Sequence, residues 1–323
     1  MMKMKNEKYV AFTDSISDIN TKAAYLYFMK SLDEKGIDLD TVTDKNSLIQ
    51  VLLALKINNL NNSSTVRSAI MNYARFANNL ELFNIIDSMT FNDIWSISKP
   101  HAKATLVSDY DVEQMCNLTH RLTNGKENQL YISSLLKAVY EGIWDEKFEV
   151  LANLRGSDVG DGTVKLTYND GECNDFAISQ QLSNDLKIVA AEKNWYRVNG
   201  RGSFCIPIYG RFEDSVFKVE RRNNLDRPDL YMFSYRRKLI SITKEYVNYS
   251  IAPMNIFISG IINRVSAILK DKGFDFQTVL INNYEIGINV IKEELQRCHY
   301  KMNYRDFKKF VDGHVFLDSS VEE

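Results

Sequence analysis

Apolar residues recur every three or four positions through the first hundred residues, and this is the spacing of helices buried on one face. Asp18 or Asn20 can cap a first helix that ends at Gly36. Three more helices are predicted over SLIQVLLALKI, over TVRSAIMNYARFANNL and over Phe91–Ser96. Segment 1–98 is therefore predicted to be a small helical bundle.

The pattern changes in segment 99–108, which has few large apolar residues and contains Pro100. Lys99 and Lys103 make it basic, so it is predicted to be a linker. Beyond it, Val164–Tyr168 and Asp175–Ile178 read as two strands joined by a tight turn.

Segment 109–323 is predicted to be a second domain in which helices surround these strands. Its helices are predicted at Val112–Leu122, Leu130–Tyr140, Lys147–Leu154, Ser183–Lys193, Lys238–Val247, Ile256–Lys272, Val290–Arg297 and Tyr304–Val311. The predicted fold class is mainly α with a small β-sheet.

Composition narrows the function classes only in part. The chain has 323 residues and a formal net charge of −2, which fits two domains and does not by itself indicate a nucleic-acid partner. Between Arg197 and Lys238, however, ten basic residues face five acidic ones. A cationic stretch of this kind is either a solvated surface or a surface that follows phosphates.

Other patterns make several classes of protein less favoured. The apolar runs are shorter than a bilayer requires, and the N-terminus lacks the apolar core of a signal peptide. We therefore expect no membrane partner and a cytoplasmic, nucleoid-associated location. The four cysteines and four histidines lack zinc-site spacing, so neither a metal nor a cofactor is expected.

Four segments carry a resemblance to a known family. SSTVRSAIMNYARFANNL resembles the N-terminal core-binding segment of tyrosine recombinases, the phage-integrase family. LVSDYDVEQM, EGIWDEKFEVLANLRGSDV and MNIFISGIINRVSAILKDKG resemble, in this order, the start and two motif regions of the family's catalytic domain. The resemblance implies a helical, SAM-like core-binding domain over 1–98, the basic linker 99–108, and an α+β catalytic-type domain over 109–323 with a small three-stranded sheet.

The family's chemistry depends on a tyrosine that attacks a DNA phosphate, with two arginines, a lysine and a histidine to stabilise the developing charge. By the resemblance, Trp144 and Phe257 occupy the two arginine positions, and Met254 occupies the histidine position. Lys165 matches the hairpin lysine. For the nucleophile, Tyr304 is the named remnant. Tyr284 and Tyr300 stay open as alternatives, and Phe307 or Phe310 can equally fill the position.

The resemblance therefore implies an inactive enzyme that keeps a clamp for duplex DNA. The helix in FSYRRKLISITKEYV is the first candidate for the major groove, with a buried stripe formed by Leu239, Ile242 and Tyr246. The predicted DNA-binding residues are Arg67, Asn72, Arg75, Lys99, Lys103, Lys165, Arg201, Arg236, Arg237, Ser241 and Lys244.

Three functions remain open from the sequence. The first is a sequence-specific, DNA-binding transcriptional repressor, similar to the integrase-like repressors that maintain prophage lysogeny. Its expected partners are operator DNA, a possible second copy of the chain, and a possible antirepressor peptide or protein. The second is an active, divergent integrase that uses Arg155, Arg264 and Tyr304. The third is a protein-binding adaptor that does not contact DNA.

Overall fold

The structure, a computed structural model, describes residues 4–122, 128–168, 171–199, 202–220 and 227–317. The chain forms two compact units. The first contains residues 1–104 together with 305–315, and the second contains residues 105–304 together with 316–323. The predicted second domain was 109–323, whereas the second unit begins at residue 105 and leaves residues 305–315 to the first unit.

The first unit is all-helical, as the apolar spacing predicts. Its helices are α1 (Glu7–Asp14), α2 (Ile19–Glu34), α3 (Lys45–Ala54), α4 (Leu60–Phe76), α5 (Leu80–Asp87) and α6 (Phe91–Ser98). The Asp18 side chain caps α2 by accepting a hydrogen bond from the Thr21 backbone. Helix α4 starts five residues before the predicted segment, because Asn59 rather than a serine is its N-cap. Helices α1 and α5 were not predicted.

The second unit is mixed. Its helices are α7 (Asp109–Leu122), α8 (Gln129–Glu141), α9 (Glu149–Asn153), α10 (Gln180–Ala191), α11 (Pro228–Val247), α12 (Pro253–Asp271), α13 (Phe276–Asn282) and α14 (Glu285–Arg297). Its strands are β1 (Thr163–Thr167), β2 (Cys173–Ala177), β3 (Asn194–Asn199) and β4 (Gly202–Pro207). The described chain is thus mainly α with small β-structure, which confirms the predicted class.

The strands form two hairpins instead of one three-stranded sheet within the described residues. Strands β1 and β2 pair antiparallel with Lys165 opposite Asp175. Strands β3 and β4, which were not predicted, pair antiparallel with Trp195 opposite Ile206. The prediction of a single three-stranded sheet is therefore wrong for the part of the chain that is described.

Helices α8 and α12 form the centre of the second unit. Their backbones approach closely at Gly260, where an added Cβ would lie 1.7 Å from the carbonyl oxygen of Tyr140. Most of α12 is buried, including Ile256, Phe257 and Ile261. This close contact fixes the first part of α12, in which the predicted catalytic positions lie.

The last helix, α15 (Tyr304–Asp312), belongs almost entirely to the first unit. Phe307 is fully buried, and the indole N–H of Trp95 donates to the carbonyl oxygen of Asp312 at 2.7 Å. Val315 packs against the core of the first unit. The prediction assigned this segment to the catalytic-type domain, and apolar contacts far apart in sequence account for the difference.

The predicted linker is partly ordered structure. Residues Lys99–His101 form one 3₁₀ turn. Leu106 and Val107 are buried in the second unit, where the Val107 backbone N–H donates to the Ser259 hydroxyl at 3.0 Å. Among the helices that are described, none is both long and apolar enough to cross a bilayer.

Candidate functional site

The two positions matched to catalytic arginines lie together in space. Trp144 follows the chain reversal at Gly142, and Phe257 lies in the second turn of α12. Their rings stack with centroids 5.7 Å apart and an interplanar angle of 24°. Phe148 meets Trp144 edge-on, with ring centroids 4.8 Å apart. The sequence match therefore identifies positions that converge, although their side chains are apolar.

Tyr300 completes this cluster. Its ring meets Phe257 edge-on at 5.0 Å, and its hydroxyl donates to the sulfur of Met254 at 3.9 Å. The matched histidine position thus also lies in the cluster. We call Trp144, Phe148, Met254, Phe257 and Tyr300 the aromatic cluster.

Tyr300, and not Tyr304, is the tyrosine that lies beside the matched positions. The Tyr304 hydroxyl donates instead to Asn283 Oδ1 at 3.1 Å. Tyr284 is 44% exposed and lies beside Phe274, with ring centroids 6.4 Å apart. The naming of Tyr304 as the remnant is not supported by this geometry, and the alternative Tyr300 fits it better.

The chemistry of the aromatic cluster is that of a hydrophobic core. Trp144 and Phe257 are buried. In the described part of the chain, the Phe257 ring contacts the rings of Trp144 and Tyr300. The Tyr300 hydroxyl has the thioether of Met254 as its hydrogen-bond partner. Burial, and secondarily the charge of Glu146, raise the pKa of Tyr300. A phenol in this environment resists the ionisation that a nucleophile needs.

The arginines of the alternative integrase interpretation have other partners. The guanidinium of Arg155 lies 3.6 Å from the ring centre of Phe212. Arg264 makes an ion pair with Glu294 and donates to the carbonyl oxygen of Tyr140 at 2.8 Å. Each guanidinium is therefore used in holding the second unit together.

Glu294 is the centre of a buried ionic cluster. Arg297 joins Arg264 on this carboxylate, with Arg297 Nη2 lying 2.7 Å from Glu294 Oε1. Burial acts to raise the pKa of Glu294, but hydrogen bonds from Arg297 and the charge of Arg264 outweigh it, so the pKa falls below the usual value. This cluster links α12 to α14, and it is a structural feature because both guanidinium groups are held by the one Glu294 carboxylate.

Two cations of the stretch between Arg197 and Lys238 also have structural roles. The Lys218 ammonium is buried and donates to the carbonyl oxygens of Ala190 and Glu192, both at 2.6 Å. It thereby satisfies carbonyl groups at the end of α10, and burial lowers its pKa. Arg211 donates to the Tyr231 hydroxyl at 2.9 Å. The count of basic residues therefore overstated the cationic surface.

Of the predicted DNA-binding residues in α4, Arg75 is the most available. Arg67 donates to the carbonyl oxygens of Met89 and Asp87, so its guanidinium closes the turn between α5 and α6. The prediction that Arg67 is free for a partner is wrong, because this pairing joins residues about twenty positions apart. Arg75 is exposed and lies 5.0 Å from the ring centre of Phe83.

The other predicted DNA-binding residues that are described before α11 lie in separate segments of the chain. Asn72 donates through Nδ2 to the Tyr25 hydroxyl at 2.9 Å. Lys99 and Lys103 are exposed in the segment that was predicted to be a linker. Lys165 is exposed on β1.

The predicted recognition helix has the clearest interface character. In α11, Tyr235, Leu239 and Ile242 are buried, which confirms two of the three predicted stripe positions, while Tyr246 is half-buried. The opposite face carries Phe233, Arg236, Arg237, Ser241 and Lys244, and we call this set the α11 outer face. Arg201 lies outside the described residues.

The three cations of the α11 outer face have no internal partner among the described residues. Within the described chain, the charged groups of Arg236, Arg237 and Lys244 make no hydrogen bond or ion pair. The Ser241 hydroxyl donates back to the Arg237 carbonyl oxygen at 2.8 Å, which leaves only its lone pairs for a partner. The prediction missed Phe233, although a helical projection of the sequence puts it on this face.

Comparisons with known proteins give a faint similarity. No family model matches the sequence, and no curated protein matches it. In structure, the chain is similar to the XerA recombinase, with a TM-score of 0.38 and 10% identity over 98% of this chain and 95% of the other. It is also similar to an integrase from mycobacterium phage Brujita, with a TM-score of 0.37 and 8% identity over 94% and 95%. Both TM-scores lie below 0.5.

Proposed function

We propose that this protein is a sequence-specific, DNA-binding transcriptional repressor that has the plan of a tyrosine recombinase but does not cut DNA. In this proposal its role corresponds to that of the integrase-like lysogeny repressor of SPβ-type prophages. The observation that carries the proposal is the aromatic cluster, which occupies the matched catalytic positions while the cations of the α11 outer face remain exposed.

The absence of cleavage follows from the chemistry of phosphoryl transfer. Attack on a phosphodiester builds negative charge on the non-bridging oxygens, and an arginine can stabilise two of them at once. Trp144 and Phe257 offer no cation for this purpose. Losing one preorganised donor typically costs about 10²–10³ in rate. The loss of two arginines and a histidine would abolish measurable strand transfer.

DNA binding needs none of those groups. Exposed Arg236, Arg237 and Lys244 can neutralise phosphates, which makes affinity depend strongly on salt. A helix of 20 residues with one cationic face has the dimensions of a major-groove reader. Arg75 supplies a further exposed cation on the first unit. Such a protein would repress transcription by occupying promoter DNA.

The test separates binding from cleavage. Binding sites are first selected from random duplex DNA with the full chain, and a selected duplex is then used in gel shifts and, with a nick, as a suicide substrate. We expect a salt-sensitive shift that survives competitor DNA, and no adduct stable to detergent. A covalent protein–DNA adduct that is lost in Tyr300→Phe or Tyr304→Phe would support the active integrase instead. No shift at low salt would support the adaptor.

Two partners of the repressor remain part of the proposal. A second copy of the chain would allow binding to two half-sites, and sedimentation with and without the selected duplex would measure this. An antirepressor peptide or protein would release the DNA. If an antirepressor exists, extract from induced cells should abolish the gel shift, whereas extract from uninduced cells should not.

A further inference from the structure

The α11 outer face contains one apolar side chain among its cations. Phe233 is 60% exposed. Successive residues of an α-helix are 100° apart, so Phe233, Arg237 and Lys244 fall within about 40° of one another around the axis. They span about 16 Å along it. The ring therefore lies in line with two cations and at one end of their row.

Packing in the core does not explain why a phenylalanine is present at position 233. The apolar side chains that hold α11 to the second unit, Tyr235, Leu239 and Ile242, lie on the opposite face. Single exposed apolar residues are common on protein surfaces, so exposure alone assigns nothing. The distinguishing feature is its alignment with Arg237 and Lys244, which are unpaired in the described chain.

That alignment fits one kind of partner. Arg237 and Lys244 lie about 10 Å from each other along the helix axis, so both can contact phosphates along a major groove that is about 12 Å wide. Phe233 lies about 6 Å before Arg237 in the same row, toward the helix N-terminus, and it is the N-terminal part of a recognition helix that contacts base edges. The 5-methyl group of thymine is the apolar feature of the major groove, and phenylalanine is one of the side chains that contact it.

We propose that Phe233 is a specificity-determining residue that contacts a thymine methyl group in the major groove, while Arg237 and Lys244 hold phosphates on its C-terminal side. This inference rests on the proposed DNA-binding function. It goes further by naming a base feature and the residue that reads it.

The test replaces thymine by deoxyuridine, which removes only the methyl group. The DNA is the duplex selected with the full chain, and each thymine is replaced in turn. We expect one replacement to weaken binding of the unaltered protein by about 4-fold, the value of one buried methylene-sized group. Phe233→Ala should weaken binding to the thymine duplex and should respond to that replacement by less than 1.5-fold, roughly.

A matched control is Ile281→Ala, because Ile281 is also strongly exposed in the second unit but lies on α13. This variant should keep the thymine preference of the unaltered protein. Phe233→Ala should unfold at the same denaturant concentration as the unaltered chain, since the removed ring is mainly solvent-exposed.

Two results overturn the inference and are distinguishable from failure of the proposed function. If both the unaltered protein and Phe233→Ala lose the same affinity on every replacement, the ring reads no methyl group. If Phe233→Ala changes the sedimented mass but not the thymine preference, the ring contacts another copy of the chain. In both cases DNA binding persists, whereas a protein that binds no duplex at low salt defeats the proposed function as well.

Discussion

The ring of Trp144 stacks on the ring of Phe257 with centroids 5.7 Å apart. The two residues are more than one hundred positions apart in the chain, and each occupies a position matched to a catalytic arginine. In an active enzyme of this plan, two like charges would face a phosphate there. In this protein the two positions bury apolar surface and thereby stabilise the fold.

The first prediction concerns that stacking. Phe257 is fully buried, so Phe257→Arg should place an unpaired charge in the core and cost about 3–5 kcal/mol of unfolding free energy, or prevent folding. Phe257→Leu, which keeps the position apolar, should cost about 1.5 kcal/mol or less. Urea unfolding measures both. Equal stability of the two variants would mean that the position opens to solvent and is a cleft rather than a core.

The second prediction concerns the contact between α8 and α12. A methyl group at Gly260 would meet the backbone oxygen of Tyr140 at 1.7 Å, and a backbone cannot move aside without shifting a helix. Gly260→Ala should therefore cost about 3 kcal/mol. Gly287→Ala meets a Val279 methyl group at 1.7 Å, and a valine can rotate, so its cost should be smaller. The reverse order in thermal unfolding would contradict the close helix approach.

The third prediction concerns pH. The folded pKa of Glu294 lies below its usual value of 4.5, so its contribution to stability is complete above that pH and is lost as pH falls through the folded pKa. Glu294→Gln should cost about 3 kcal/mol at pH 7, because Arg264 and Arg297 lose their counter-ion. The difference between the two proteins should shrink as the pH is lowered below 4.5.

Denaturant unfolding at a series of pH values from 3 to 7, roughly the range over which carboxylates titrate, measures this effect. Glu293→Gln is the control, since Glu293 is exposed on the same helix and should leave the pH profile unchanged. A pH-independent difference between the unaltered protein and Glu294→Gln would show that the carboxylate's charge contributes nothing.

The fourth prediction concerns phosphate contacts. Arg237→Ala should weaken binding to every duplex and reduce the slope of log affinity against log salt by about 1, because one fewer counterion is released. Lys292→Ala removes an exposed cation of α14 and should leave the slope as it was. If both variants change the slope equally, the contribution comes from overall charge and not from the α11 outer face.

The fifth prediction concerns the last helix. Phe307 is fully buried in the first unit, so Phe307→Ala should cost that unit about 3–5 kcal/mol, although the residue lies near the other end of the chain. Amide exchange should accelerate in α4 and α6. Lys309→Ala, which alters an exposed position of the same helix, should not change it. Faster exchange confined to the second unit would contradict the assignment of this helix.

Much of the local structure could be predicted from the sequence. Apolar spacing and capping residues identified α2, α11 and most other helices, because a helix that buries one face repeats its apolar side chains every three or four positions. The hairpin of β1 and β2 was identified by its turn residues. The hairpin of β3 and β4 was missed, since neither of its strands was predicted.

For the candidate site, too, some features follow from the sequence and others only from the tertiary structure. The sequence by itself determined that the positions assigned through the resemblance carry tryptophan, phenylalanine and methionine, and that one face of α11 is cationic, since side-chain identity and helical period need no tertiary information. The tertiary structure decided which tyrosine lies beside those positions, which arginines have partners inside the protein, and which unit contains α15. These depend on contacts between residues tens to hundreds of positions apart, such as Arg67 with Met89 and Trp95 with Asp312, and local periodicity carries no record of such pairs.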